Sequence, residues 1–125
     1  MTLNEAIIRC DLFCSNDAER EIKVKAISTL EKRLIKEVLS TFPDIDVPKG
    51  FNGYDADADG GKELLAESPY DEMYGHYAAA EVYLIMHEQK HYNNEIHIFN
   101  SLLADYKVHL YKNHRPGGVS RYRVR

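Results

Sequence analysis

HEQKHYNNEIHIFNSLLADYKVHL, residues 87–110, is the stretch whose reading decides the fold, because it carries two incompatible signals. The first is His87, Glu88 and His91, two histidines four apart with a glutamate between them, which is a zinc-peptidase pattern. On one helix that spacing aims both imidazoles at a single ion, and the glutamate activates a metal-bound water. His97 stands where a longer zinc-protease pattern places a third ligand, and Asn94 stands where that pattern has glycine. The second signal is the stripe Tyr92, Ile96, Phe99, Leu103, Tyr106, Leu110, stepping by four and three residues. That is one face of an amphipathic helix running through His97 without interruption.

The two readings exclude each other. On a continuous helix His91 and His97 point about 240° apart and cannot share a metal. A zinc protease of this type ends its helix after the second histidine, and a methionine turn follows. Here the methionines are Met1, Met73 and Met86, all upstream of His87. Such enzymes also place a sheet before the motif, whereas the first 42 residues read as helical. The stripe is therefore the stronger reading, with no catalytic residue, metal site or cofactor expected. His87 is expected as a partly buried residue of the preceding helix, with His91 and His97 in surface or interface positions. A small zinc peptidase using His87, Glu88, His91 and His97 stays as the alternative.

Upstream, residues 2–14 read as a short helix, with Thr2 and Glu5 spaced as a capping box and Leu3, Ile7, Cys10 and Cys14 on one face. A second helix is expected from near Asn16, with Asn16 and Glu19 in the cap pattern. Its stripe is Ala26 or Ile27, Leu30, Leu34, Val38 and Phe42, and Pro43 ends it. Glu31, Lys32, Arg33, Lys36 and Glu37 are assigned to its solvent faces. Residues 43–62 read as a loop, and Lys62 to Glu67 as room for one short strand. Ser68 is expected to cap a third helix with Pro69 in its first turn. That helix carries Met73, Tyr77, Ala80, Leu84 and His87, and Pro116 closes the fourth. The fold class is all-α, a four-helix, bundle-like domain over residues 1–114 with a long acidic loop, and an extended C-terminal arm over 115–125.

Composition narrows the function classes. With 44% hydrophobic and 29% charged residues, the 125-residue chain has ordinary globular composition and suits one domain. No run of 18 or more apolar residues suggests a membrane span, and the N-terminus lacks the features of a signal peptide. Cys10 and Cys14 read as small core side chains in a reducing compartment, since no third cysteine completes a metal site. The net charge of -4 is unevenly spread. Nine acids and two lysines lie between Asp44 and Glu72, whereas Lys112, Arg115, Arg121, Arg123 and Arg125 face no acid after them. An acidic body argues against a nucleic-acid-binding domain, and only the tail could serve a DNA-binding accessory protein. Asp55, Asp57, Asp59 and Gly60 match the opening of a calcium loop, but Ala66 stands where the bidentate glutamate belongs, so a solvated acidic turn is expected. Nine tyrosines are many for one small core, and seven of them from Tyr70 to Tyr111 suggest interface use.

From Glu63 onward the chain carries ELL at Glu63 to Leu65, SPYDEMYGHY at Ser68 to Tyr77, Glu81, YNN at Tyr92 to Asn94, Phe99 and Asn100, Tyr106, Tyr111, and NHRPGG at Asn113 to Gly118. With these residues the segment resembles a family of small prophage proteins of Gram-positive bacteria, the tailed-phage head–tail connectors of the adaptor class. The likeness covers about half the chain, and the histidines from His87 to His97 depart from the family pattern. It implies a structural virion protein of the neck, assembled in the host bacterial cytoplasm as a homo-oligomeric ring of about a dozen copies. Such a ring joins the portal protein to the stopper or tail-completion protein and lets DNA pass without specific binding. The arm is the expected partner-binding element, through Arg115, Gly117, Gly118, Arg121, Tyr122, Arg123 and Arg125, and its VSRYRVR alternation suits strand addition. The acidic loop is expected to face the lumen, where like charge keeps DNA from sticking, or the next ring.

Overall fold

The structure is a computed structural model and describes residues 1–115. It is all-α: α1 is Leu3–Phe13, α2 Arg20–Arg33, α3 Glu72–Ile85 and α4 Gln89–Asn113. None of these helices is long and apolar enough to cross a membrane.

α1 begins as its sequence dictates. The Thr2 hydroxyl accepts from the Glu5 N–H at 3.2 Å, and the Glu5 carboxylate accepts from the Thr2 N–H at 2.8 Å. A cap of this kind contributes about 1 kcal/mol. Leu3, Ala6, Ile7, Cys10 and Cys14 are all buried. A buried leucine or isoleucine contributes about 2 kcal/mol, so packing outweighs the cap. The expected strand at 62–67 is only a single antiparallel bridge between Thr2 and Glu63. Leu3 N–H donates to Lys62 O at 3.0 Å and Leu64 N–H to Met1 O at 2.9 Å. α1 turns away from the bridge at once, so no ladder can extend.

α2 starts at Arg20 with Glu19 as its N-cap residue, three residues later than the cap pattern at Asn16 indicated. The Asn16 side chain is occupied by a local turn: it accepts from Ala18 N–H and donates to Cys14 O and Asp11 Oδ1. Such asparagine turns compete with helix. The helix continues past Arg33 as a π-helical turn, Leu34–Val38, and a 3-10 turn, Leu39–Thr41, before Pro43. The stripe explains the π turn. Steps of four from Ala26 to Phe42 drift about 40° each on an α-helix. Winding more residues per turn cancels that drift and keeps Leu34, Val38 and Phe42 buried.

α3 is the central element. Met73, Tyr74, Gly75, Tyr77, Ala78, Ala79, Ala80 and Val82 are buried, which leaves little of its circumference to solvent. α1 and α2 pack on each other and on α3, and α4 packs on another flank of α3. The small residues permit this crowding. A Cβ placed on Gly75 would stand 2.6 Å from the Arg9 Cβ and 3.0 Å from a Phe13 ring carbon. Ser68 does not cap α3. Residues 68–71 form a separate turn, in which Asp71 N–H donates to Glu67 O, and Asp71 itself is the residue preceding the helix. The buried Asp71 carboxylate lies 3.2 Å from the Met1 ammonium.

α4 is unbroken from Gln89 to Asn113, as the stripe indicates, with Phe99, Tyr106 and Leu110 buried. It docks through ring contacts, Tyr77 with Phe99 at 5.0 Å and Tyr70 with Tyr106 at 5.6 Å.

Candidate functional site

The HEQKH segment does not lie on one helix. α3 ends at Ile85, Met86 is its C-cap, and His87 has φ 61. Glu88 N–H donates to Tyr83 O at 2.9 Å and His87 N–H to Leu84 O at 3.1 Å. These two bonds are the Schellman closure of a helix C-terminus, with His87 in the left-handed position that glycine usually takes. His87 is therefore exposed and outside the helix, not a partly buried residue of its stripe, and Leu84 is also exposed. His91 follows on the first turn of α4 and stacks on Tyr83, centroids 4.9 Å apart. His97 is exposed further along the same unbroken helix. Among the described residues, no three histidine, cysteine, aspartate or glutamate side chains are grouped to hold a metal ion. Histidine in the left-handed region carries strain of about 1 kcal/mol. His87→Gly is expected to raise stability by about that amount in urea unfolding, and an unchanged midpoint would show that the turn is unstrained.

The acids of the 55–59 loop serve the loop itself. Asp55 Oδ1 accepts from the Asp57 and Ala58 N–H groups at 2.8 Å each, and Asp59 Oδ2 accepts from Asp55 N–H at 2.7 Å. The bonds from Ala58 and Asp57 hold the Asp55 carboxyl below its ordinary range. The turn is polar and half-exposed, as the sequence suggested.

The most deeply buried charged side chain among the described residues is one the sequence concealed. Glu31 has no solvent exposure, although helical charge patterning assigned it to the surface. Its carboxylate accepts from Tyr54 OH at 2.6 Å, Tyr74 OH at 2.5 Å and Leu65 N–H at 3.0 Å, and Ala66 N–H donates to the Tyr74 hydroxyl oxygen at 2.9 Å. Burial pushes the Glu31 carboxyl up, and the hydrogen bonds it accepts oppose that. This knot ties the 54–66 loop to α2 and α3. The signal was its spacing: Glu31 lies four after Ile27 and three before Leu34, on the edge of the core stripe.

Tyr74, Tyr77 and Tyr106 are likewise consumed inside, while Tyr111 is half-exposed beside Phe42. The tyrosine count is thus explained largely by the core. Cys10 and Cys14 are fully buried and unpaired, and burial pushes the Cys10 thiol up to about 12, which removes it as a nucleophile.

Three histidine–carboxylate contacts fasten α4 and its end to the body: His76 to Glu95 at 2.7 Å, His109 to Glu67 at 3.3 Å and His114 to Asp44 at 2.6 Å. Arg115 is exposed at the end of the described residues. Gly117, Gly118, Arg121, Tyr122, Arg123 and Arg125 of the expected docking arm lie outside them.

What the described surface does offer a partner is apolar. Ile8 and Leu12 on α1 are 59% and 69% exposed, and Leu84, Ile85 and Met86 at the end of α3 are 44%, 57% and 43% exposed. Ile8 and Leu12 border a hollow shared with Ser68 and Glu72, at the start of α3. One patch thus lies on α1 and the other at the C-terminal end of α3. The chain matches no protein-family model, no curated protein and no solved structure.

Proposed function

We propose that this chain is a subunit of the ring that joins head and tail in a tailed phage, an adaptor that works by docking and carries out no chemistry. One observation carries this reading: several residues of the connector-like motif tie the start of α3 to α2, α4 and the N-terminus. Asp71 meets the Met1 ammonium, Tyr74 bonds Glu31, Tyr77 packs on Phe99, and Tyr70 packs on Tyr106. The resemblance thus rests on residues that act together in folding, and it brings the family's function by analogy. The two separated apolar patches suit a subunit with neighbours on both sides. The basic segment 115–125 serves as the portal contact in this reading, with the virion neck as its place.

The test is assembly on the portal protein of the same phage. Electron microscopy is expected to show a ring of about a dozen copies on one portal face. A chain lacking residues 115–125 is expected to lose capture while keeping its helical circular dichroism. Failure of the full chain to join the portal sinks the adaptor reading. Salt-sensitive retention on duplex DNA, lost with the same deletion, would instead assign a DNA-binding role to the tail.

A further inference from the structure

We propose that the basic segment from Pro116 to Arg125 binds its own chain, seating Tyr122 in the acid-rimmed hollow between the end of α4 and residues 44–46 and 65–67. The inference does not rest on the adaptor reading. Under that reading, the portal takes over a segment that the free subunit keeps parked.

The hollow encloses about 240 Å³. Its bottom is apolar, built from the buried Leu39, Tyr106 and Leu110 and the half-buried Ile45 and Leu65. A cavity of ~150 Å³ holds benzene, so one aromatic side chain has room here. Its rim is acidic. Asp44, Asp46 and Glu67 are all exposed, and no lysine or arginine lines the hollow. Asp44 meets His114 and Glu67 meets His109, yet each of these carboxylates keeps more than half its surface in solvent. A carboxylate has two oxygens and about four acceptor sites, so one imidazole does not exhaust it.

The chain itself leads to this place. α4 lines the hollow through Tyr106 and Leu110, its C-cap His114 stands in the rim, and Arg115 follows directly. Beyond it come Arg121, Arg123 and Arg125 with no acid among them, and Tyr122 as the one aromatic residue. Arg115, Pro116, Gly117 and Gly118 place proline and glycine at the two central positions of a type II turn. A reversal there sends the following residues back toward the rim they left. The ten residues from Pro116 to Arg125 span up to ~33 Å, so reach is not limiting. In an extended segment, a Tyr122 ring pointing down leaves Arg121 and Arg123 at the level of the carboxylates, where guanidinium pairs well. Tethering gives the segment an effective concentration of about 1 mM at its own hollow, above that of a second copy in dilute solution.

The experiment uses the full chain, which has no tryptophan of its own, carrying Tyr122→Trp. Its fluorescence is expected to be blue-shifted and several-fold less quenched by acrylamide than free tryptophan, at every protein concentration. Adding Asp46→Lys and Glu67→Lys is expected to abolish that shielding, with circular dichroism reporting that the chain still folds. Ile45→Cys with Val124→Cys in one chain provides a second measurement, with an intrachain disulfide expected on oxidation. Cys10 and Cys14 are fully buried and do not compete. An indole quenched like free tryptophan, shielding that survives the charge reversal, or the absence of an intrachain disulfide would each overturn the inference. Shielding lost on dilution, or a disulfide between chains, would overturn it by giving the hollow to the segment of a second copy. Portal capture of a chain whose indole is exposed when free sinks this inference and leaves the adaptor reading standing. A shielded indole with no portal capture does the reverse.

Discussion

Glu31→Ala is expected to lower stability by about 3 kcal/mol, a drop of roughly 10 °C in the thermal midpoint for a chain of this size. The change removes the acceptor of three donors at once: the hydroxyls of Tyr54 and Tyr74 and the N–H of Leu65. Each orphaned buried donor costs about 1–3 kcal/mol, and relief from burying a carboxylate offsets part of the sum. Tyr54→Phe removes one donor and leaves the acceptor served by two others, so about 1 kcal/mol is expected. Calorimetry of the two variants separates the cases. Equal midpoints would mean that the hydrogen bonds around Glu31 do not act as a unit.

The same residue sets a pH dependence. Burial raises the Glu31 carboxyl above its ordinary value of 4.5 in the folded protein. The folded state therefore holds that proton more tightly than the unfolded chain does. Its contribution is fully present below 4.5 and is lost as pH rises through the folded value. Glu31→Gln has no such proton to lose. The stability of the wild type relative to Glu31→Gln is expected to fall as pH rises above 4.5 in urea titrations. A constant difference would place the carboxyl in an ordinary environment.

Gly75→Val is the second large effect, again about 3 kcal/mol of destabilisation. The new Cβ would lie 2.6 Å from the Arg9 Cβ, an atom fixed to the α1 backbone and unable to swing aside. α1 must then separate from α3, loosening the contacts that bury Leu3, Ala6 and Cys10. Gly75→Ala is the informative companion. In an open helix it would gain about 1 kcal/mol from propensity. Here the clash is expected to reverse the sign. A stabilised Gly75→Ala would show that α1 moves away from α3 without penalty.

Much of this fold was legible because periodicity and capping act locally. The Thr2–Glu5 box, the stripe from Ile27 to Phe42 and the stripe from Tyr92 to Leu110 all lie where their spacing puts them. The misses share a cause. Asn16 carries cap chemistry that the chain uses in a turn, because a short polar side chain serves a turn as well as a helix start, and Ser68 stands in a turn that precedes α3. His87 hides a helix terminus because the left-handed position is filled without glycine. Glu31 hides a core site because its charge argues for solvent when only helix α2 is considered. Segment 115–125 was legible as basic and alternating, whereas the apolar patches of α1 and α3 were invisible as patches, because which apolar side chains stay uncovered is decided only when the helices pack.

The sequence by itself determined the helices and the severing of the histidines. An apolar stripe that passes through Asn94 fixes a helix, and a helix fixes the directions of His91 and His97. Tertiary structure alone decided what a charge or a glycine is for. Glu31 became the centre of a buried knot because Tyr54, Leu65 and Tyr74 arrive from outside α2 to bond it. Gly75 became indispensable because α1 crosses there. A side chain's solvent is the rest of the chain, and that is known only once distant segments have met.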